Sequence, residues 1–303
     1  MKTAIVTGAS GFIGKILVNY LVSKSVYVYA VVRSEKSDTQ GISASANIIV
    51  ADFDSYAQLN NLILKNVDVF YHLAWDGTSG IDRKDYLKQL GNMRGTVEAY
   101  KIAGDLKCGK FISTGTISER LVEKTELENC KENLIYAMMK RKTYQLLSTY
   151  SNQNKTPLVW AQLSNLYGKN NNTGNIISYT LKSLMNHEIP EYSKAIQPYD
   201  LMDVNDAVYA LYLLGVTRKL RHNFYFVGSG EPRILKEYLL EISSLFGDDQ
   251  SIKLGAKPDD GYVYNWEWFD IRNLVEDTGF KVSDHFSNHI RMLVKELGCH
   301  RDQ

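Results

Sequence analysis

Met1-Lys-Thr-Ala-Ile-Val-Thr-Gly8-Ala-Ser10-Gly11-Phe12-Ile13-Gly14 opens the chain. Ala4 to Thr7 is an apolar, β-branched run of strand length. Phe12 to Val22 repeats its apolar residues (Phe12, Ile13, Ile16, Leu17, Tyr20, Leu21) at helical spacing. Between them the glycines stand as Gly-x-x-Gly-x-x-Gly. Gly8 permits a sharp turn, Gly11 lets backbone approach a ligand, and Gly14 lets the helix pack closely on the strand. The free N–H groups and positive dipole end of the helix then converge on one spot, which suits a pyrophosphate. A strand, a glycine turn and a helix in that order read as a dinucleotide site. Gly8, Ser10, Gly11, Phe12, Ile13 and Gly14 are its expected first contacts.

Working outward, further strands are expected at Val26 to Val32, Ile48 to Phe53, Val67 to Ala74 and Lys110 to Thr114, separated by helical segments such as Tyr86 to Ala103. That alternation predicts an α/β fold, a Rossmann-type doubly wound parallel sheet with a smaller C-terminal substrate-binding lobe. The expected division is a nucleotide domain over 1–165, rejoined by about 199–228 and 265–272, and a lobe from 166–198 plus 229–303. The second strand ends in Arg33-Ser34-Glu35-Lys36. An acidic side chain there would take the ribose hydroxyls of NAD, whereas a guanidinium pairs with a 2′-phosphate. Arg33, with Ser34 and Lys36 beside it, therefore favours NADP(H) over NAD.

Composition excludes several classes. Lys+Arg 35 against Asp+Glu 34 leaves a net charge of +1 in 303 residues, which speaks against nucleic acid or a membrane surface as the main partner. Cys108, Cys130 and Cys299 are far apart and lack metal-ligand spacing, so reduced thiols, a cytoplasmic location and no metal are expected. No apolar run is long enough to span a membrane, and Lys169 to Gly174 reads as a loop.

Tyr136-Ala-Met-Met-Lys140 opens a helix whose core face is expected to continue through Met139, Thr143, Leu146, Leu147 and Tyr150. Residues four apart share a face, so phenol and ammonium point the same way. A phenol with pKa about 10 is a poor proton shuttle at neutral pH, and a nearby cation lowers it. Lys140 is the expected cation and is also placed to hold a nicotinamide ribose. Tyr136 is then the proton donor to a carbonyl oxygen receiving hydride, with the Thr114 hydroxyl on the same oxygen.

With the glycine turn, the Ser113-Thr114 strand end and Tyr136-x-x-x-Lys140 in this order, most of the chain resembles the extended short-chain dehydrogenase/reductases, whose members include nucleotide-sugar epimerases, dehydratases and reductases. The resemblance implies that Asp52-Phe53 brackets adenine and that Leu73-Ala74 forms the turn beside the pyrophosphate. It makes Asn92 a support of the site through backbone contacts, and His72 is expected to be structural. Asn165, in Asn165-Leu-Tyr167-Gly168, is implied to bind the substrate diphosphate. Many relatives carry an arginine immediately before Asp200, but here it is Tyr199, leaving Arg233, Arg218 or Lys169 as candidate phosphate cations. Phe226-Val-Gly228-Ser-Gly230 and Trp268-Phe-Asp270 match later family segments, and Tyr262, Tyr264, Trp266 and Trp268 form an aromatic cluster for packing or for stacking. Gly115-Thr116 stands where the family's dehydratases carry an Asp-Glu pair, which excludes dehydration. The expected activity is NADPH-dependent reduction of a nucleotide-linked 4-keto-6-deoxyhexose carrying dTDP or CDP. A nucleotide-sugar 4-epimerase retaining NAD and a non-catalytic dinucleotide sensor are the alternatives. A homodimer through the helices starting near Tyr86 and Tyr136 is implied, provided both present an exposed apolar stripe.

Overall fold

The computed structural model describes residues 1–123, 131–171, 174–247 and 252–297. Cys130, Cys299 and the Asn172-Thr173 part of the expected loop lie outside the described residues. The strands in chain order are β1 (Thr3–Thr7), β2 (Tyr27–Val32), β3 (Asn47–Val50), β4 (Val69–His72), β5 (Lys110–Thr116), β6 (Leu158–Leu163), β7 (Asn165–Tyr167), β8 (Pro198–Tyr199), β9 (Leu201–Asp203), β10 (Phe224–Val227) and β11 (Arg233–Ile234). The helices are α1 (Phe12–Ser23), α2 (Leu59–Leu62), α3 (Tyr86–Asp105), α4 (Glu119–Glu123), α5 (Ile135–Tyr150), α6 (Ile176–Met185), α7 (Val204–Val216), α8 (Leu235–Ser244), α9 (Arg272–Thr278) and α10 (Phe286–Glu296).

β1, β4, β5 and β6 are buried along their whole length or nearly so, as continuous apolar runs covered on both faces must be. They form a seven-stranded, all-parallel sheet in the order β10-β6-β5-β4-β1-β2-β3. Strand order reverses between β1 and β4, and ligand clefts of such sheets open at the carboxyl ends beside that reversal. On one face Leu17, Val18 and Leu21 of α1 meet Ala207, Leu211 and Leu214 of α7. On the other, Ala99, Tyr100 and Ala103 of α3 pack with Leu147 of α5 over Phe70, Phe111 and Trp160. α6, α8 and α10 close around a separate core of Tyr167, Leu181, Tyr238, Leu239, Phe286 and Ile290. The pairs β7·β9 and β8·β11 connect that lobe to the end of β6. The doubly wound fold and the lobe agree with the sequence.

Three local expectations change. The third strand stops at Val50, and Asp52 and Phe53 stand in the following turn, where Ser55 N–H and Oγ–H both donate to Asp52 Oδ1. β5 continues two residues beyond Thr114 because Gly115 and Thr116 pair in register with Gln162 and Leu163. Leu146 does not face the core: it is 46% exposed, since only Tyr136, Ala137, Lys140, Thr143 and Leu147 of α5 are buried. Among the described residues no helix is long and apolar enough to cross a membrane, and no cluster of side chains fits a metal ion.

Candidate active site

Gly8 leaves β1 with φ +68°, a region that favours glycine, and a Cβ there would stand 2.8 Å from the backbone nitrogen of Ala74. A Cβ on Gly14 would overlap the carbonyl of Gly8. α1 thus starts directly against the turn. Its N-cap is Gly11, which supplies no side-chain cap, and its first turn holds no acidic residue. Those N–H groups and the dipole are left to an outside anion, which is what a dinucleotide's pyrophosphate requires.

Two adjoining cavities share Gly8, Gly11, Leu73 and Trp75. One, of about 490 Å³, runs from the glycine turn past Ser10, Arg33, Asp52, Phe53 and Ala74. The other, of about 440 Å³, runs past Phe12, Ile13 and Gly14 to Thr114, Tyr136, Lys140, Asn165 and Tyr199. The expected cofactor and catalytic residues are therefore brought together, with two exceptions. Ser34 is absent from the wall; its N–H is bonded to Ser37 Oγ, and Ser37 and Lys36 line the cavity instead. Asn92 is also off the wall and fully buried: Oδ1 accepts from Asp76 N–H at 2.6 Å, and Nδ2 donates to the carbonyls of Asp76 and Lys88. It fixes the turn after β4, with both amide atoms engaged by backbone. Arg33 is exposed and pairs with Asp76 at 3.1 Å across the cavity mouth. His72 lies between the hydroxyls of Thr7 (2.9 Å) and Thr96 (3.1 Å), and burial pushes its pKa down to about 3, so it is a neutral strand-end strut.

At the catalytic end α5 delivers Tyr136 and Lys140 one turn apart, both buried. Lys140 Nζ donates to the Thr114 carbonyl at 2.7 Å and lies 3.8 Å from the centre of the Trp75 ring. Trp75 is fixed there by its Nε1 bond to Gln89 Oε1, and buried Gln89 donates to the carbonyls of Gly77 and Asp82. Burial pushes the Tyr136 phenol up to about 12, opposed by the Arg83 guanidinium and by a hydrogen bond with the Thr116 hydroxyl. The cation acting most on Tyr136 is thus Arg83, 4.6 Å from its ring centre, rather than the expected Lys140. The Thr116 hydroxyl hydrogen-bonds Tyr136, with Thr114 two residues back on the same wall.

The substrate side needs a larger correction. Asn165 donates to the Asp200 carbonyl at 3.2 Å and, with Tyr199, borders both the main cavity and a niche of about 70 Å³ lined by Ile117, Leu121, Tyr264 and Trp268. Arg233, however, is on neither wall. Its guanidinium pairs with Glu241 at 2.8 Å and lies over the Tyr238 and Phe286 rings, satisfied inside the lobe. Arg218 is exposed just past α7, and Lys169 faces Glu296. Besides Lys140, the wall carries the cation Arg83, whose Nε is buried without a hydrogen-bond partner among the described residues. Arg83 lies in a short 3₁₀ turn, Gly80–Lys84, with no periodicity to single it out in sequence. Trp75, Gln89, Thr116 and buried Glu119 likewise have no sequence signal, since each depends on contacts between segments that no spacing connects.

The sequence profile described as the NAD dependent epimerase/dehydratase family matches residues 4–228. No match was found among curated proteins. Among solved structures, the chain is similar to the UDP-N-acetylglucosamine 4-epimerase of Methanobrevibacter ruminantium M1 in complex with UDP-N-acetylmuramic acid, at 21% identity and TM-score 0.81, covering 98% of each chain. It is also similar to the UDP-glucose 4-epimerase of Thermotoga maritima with UDP-glucose, at 17% identity and TM-score 0.80, covering 97% of this chain and 98% of that one. A third is the UDP-glucose 4-epimerase of Thermus thermophilus in complex with NAD, at 16% identity and TM-score 0.78, covering 98% of this chain and 100% of that one. At these identities the likeness is one of fold.

Proposed function

The chain belongs to the NAD dependent epimerase/dehydratase family, and from that premise we propose that it reduces the keto group of a nucleotide-linked 4-keto-6-deoxyhexose with NADPH. The observation that carries this reading is Arg33, with Lys36, at the adenosine end of a cleft whose other end holds Tyr136 and Lys140. A bound nicotinamide supplies hydride to the carbonyl carbon. Tyr136 gives its phenolic proton to the carbonyl oxygen, and the Thr114 and Thr116 hydroxyls hold that oxygen as its charge develops. Lys140, fixed by the Thr114 carbonyl and Trp75, would hold the nicotinamide ribose. Trp75, on the wall of both cavities, and the backbone turn held by Asn92 flank the place where the two cavities adjoin. A 4-epimerase is the second reading, supported by the names of the structural relatives; it retains NAD through a cycle, for which Arg33 has no use.

The test follows nicotinamide absorbance with purified protein, NADPH or NADH, and dTDP- or CDP-4-keto-6-deoxyglucose. Net oxidation with preference for NADPH supports the reductase. No oxidation, with NAD released on denaturation, would establish the epimerase in its place.

Arg83 is the proposed holder of the substrate diphosphate. A buried guanidinium N–H without an acceptor is costly, and a phosphate oxygen in the cleft would satisfy it. Arg83→Met is expected to weaken nucleoside diphosphate binding, measured by calorimetry, by roughly 10- to 100-fold, the equivalent of about 1.5–3 kcal/mol for a charged hydrogen bond. Arg233→Met, already paired inside the lobe, should leave that affinity near wild type; the reverse pattern would return the role to Arg233. The condition for a homodimer through α3 and α5, an exposed apolar stripe on both, is met by α3 alone. Tyr86, Leu87 and Leu90 give α3 an exposed apolar stripe, whereas the exposed part of α5 offers Leu146 among Lys142, Gln145 and Thr149.

A further inference from the structure

Glu119 is fully buried although nothing in the proposed reaction uses it. It stands at the start of α4, directly behind β5, where a Cβ on Gly115 would collide with its Oε1 and with Trp160 Nε1. Its Oε1 accepts from Thr116 N–H at 2.7 Å, and its Oε2 accepts from Trp160 Nε1 and Gln162 Nε2, both at 3.3 Å. The Gln162 amide is oriented by Arg120, whose Nε donates to Gln162 Oε1 at 3.0 Å. Arginine only donates, so Gln162 must turn its NH₂ toward Glu119. Among the described residues every group on the carboxyl is therefore a donor. A protonated carboxyl would have no acceptor for its O–H, and the site is built for the anion.

The reacting groups stand one residue away from this carboxylate: Trp160, which donates to Oε2, has its ring centre 5.9 Å from Lys140 Nζ, and Thr116, whose N–H holds Oε1, hydrogen-bonds Tyr136 through its hydroxyl. Burial pushes the Glu119 carboxyl up and the Lys140 ammonium down, and each is opposed by the charge of the other. Glu119 also holds the Tyr136 phenol up, against Arg83 and Thr116. Tyr144 on the outer side of α5 feels it as well. Arg120 and Arg141 both pair with Glu123, at 3.2 and 2.8 Å, which spends their charge before it reaches the carboxylate.

We propose that Glu119 is a positioning residue that acts on Lys140 and Tyr136, its fixed negative charge keeping both protonated so that the resting site presents a proton donor. This rests on the reductase reading for its use, since an epimerase begins by taking a proton from a hydroxyl and needs phenolate at rest. Removing the charge makes every proton around it more acidic. Reduction requires the phenol and falls as pH rises through its pKa; oxidation of the alcohol requires phenolate and rises through the same value. In Glu119→Gln both limbs should move acidward together by about one pH unit or more, a tenfold change in each proton equilibrium. Loss of packing alone would lower the rates without moving the limbs.

Two measurements separate this inference from the reaction it serves. The first is the pH profile of NADPH oxidation for wild type, Glu119→Gln and Glu119→Asp, the aspartate expected to keep the wild-type limb. The second needs no substrate: NMR of the protein with its tyrosines labelled with ¹³C at Cζ, the Tyr136 resonance being identified by its loss in Tyr136→Phe. In wild type that resonance should begin to titrate only near the alkaline limit of the folded protein, and in Glu119→Gln its titration should begin at least about one unit lower. Glu119→Met, a second neutral side chain of like length, should shift the onset the same way, which covers the case of a glutamine variant that does not fold. An onset unchanged in the folded variants overturns the proposal. A shifted onset in a protein that oxidises no NADPH upholds Glu119 and defeats the reductase.

Discussion

Tyr136→Phe is expected to lower kcat about 10²- to 10⁴-fold while changing KM and cofactor affinity little, measured by nicotinamide absorbance at saturating substrate. The phenol is the group on the cleft wall that both carries a transferable proton and sits beside Lys140 and the Thr114 and Thr116 hydroxyls. In the phenylalanine variant the ring still fills its place against Trp75 and beneath Arg83, so binding and folding keep their contacts. What is lost is the proton, which water in a buried corner would have to supply. Retention of more than about a tenth of wild-type kcat would show that another group protonates the oxygen and would remove Tyr136 from the chemistry.

That the tyrosine was legible in the sequence while its electrostatic partner was not follows from how each is encoded. Tyr136 and Lys140 are four residues apart on one helix, and helical geometry alone puts them on one face. Strand, glycine turn and helix are equally local, so the parallel sheet and its cofactor end could be read directly. Arg83, Thr116 and Glu119 reach Tyr136 from a 3₁₀ turn, from β5 and from α4, and no spacing rule connects those segments. Arg233 failed for the converse reason. It stands in β11, and its partner Glu241 on the following helix, α8, satisfies it there. Leu146 was assigned inward because it continues the apolar series of α5, yet the helix turns it outward beside Gln145, a matter of which part of a broad stripe meets the sheet.

The cofactor end carries an equally large expected effect. Gly14→Ala puts a methyl group into the carbonyl of Gly8, a backbone atom that cannot rotate away, so α1 has to move off β1 or the turn has to open. Alanine is the better helix former by about 1 kcal/mol, but overpacking against rigid backbone costs on the order of 1–3 kcal/mol, and the steric term wins. The same displacement carries the N–H groups of α1 away from the place where a pyrophosphate would meet them, so dinucleotide affinity should fall at least about tenfold together with stability. Gly91→Ala, on α3, is the matched control: a Cβ there meets no atom within 4 Å, and the substitution should stabilise by up to about 1 kcal/mol. Thermal unfolding and cofactor titration of the two variants should therefore differ in sign for stability and in kind for binding. Equal behaviour of the two would mean that α1 does not pack on the glycine turn, and the pyrophosphate site built on that packing would fall with it.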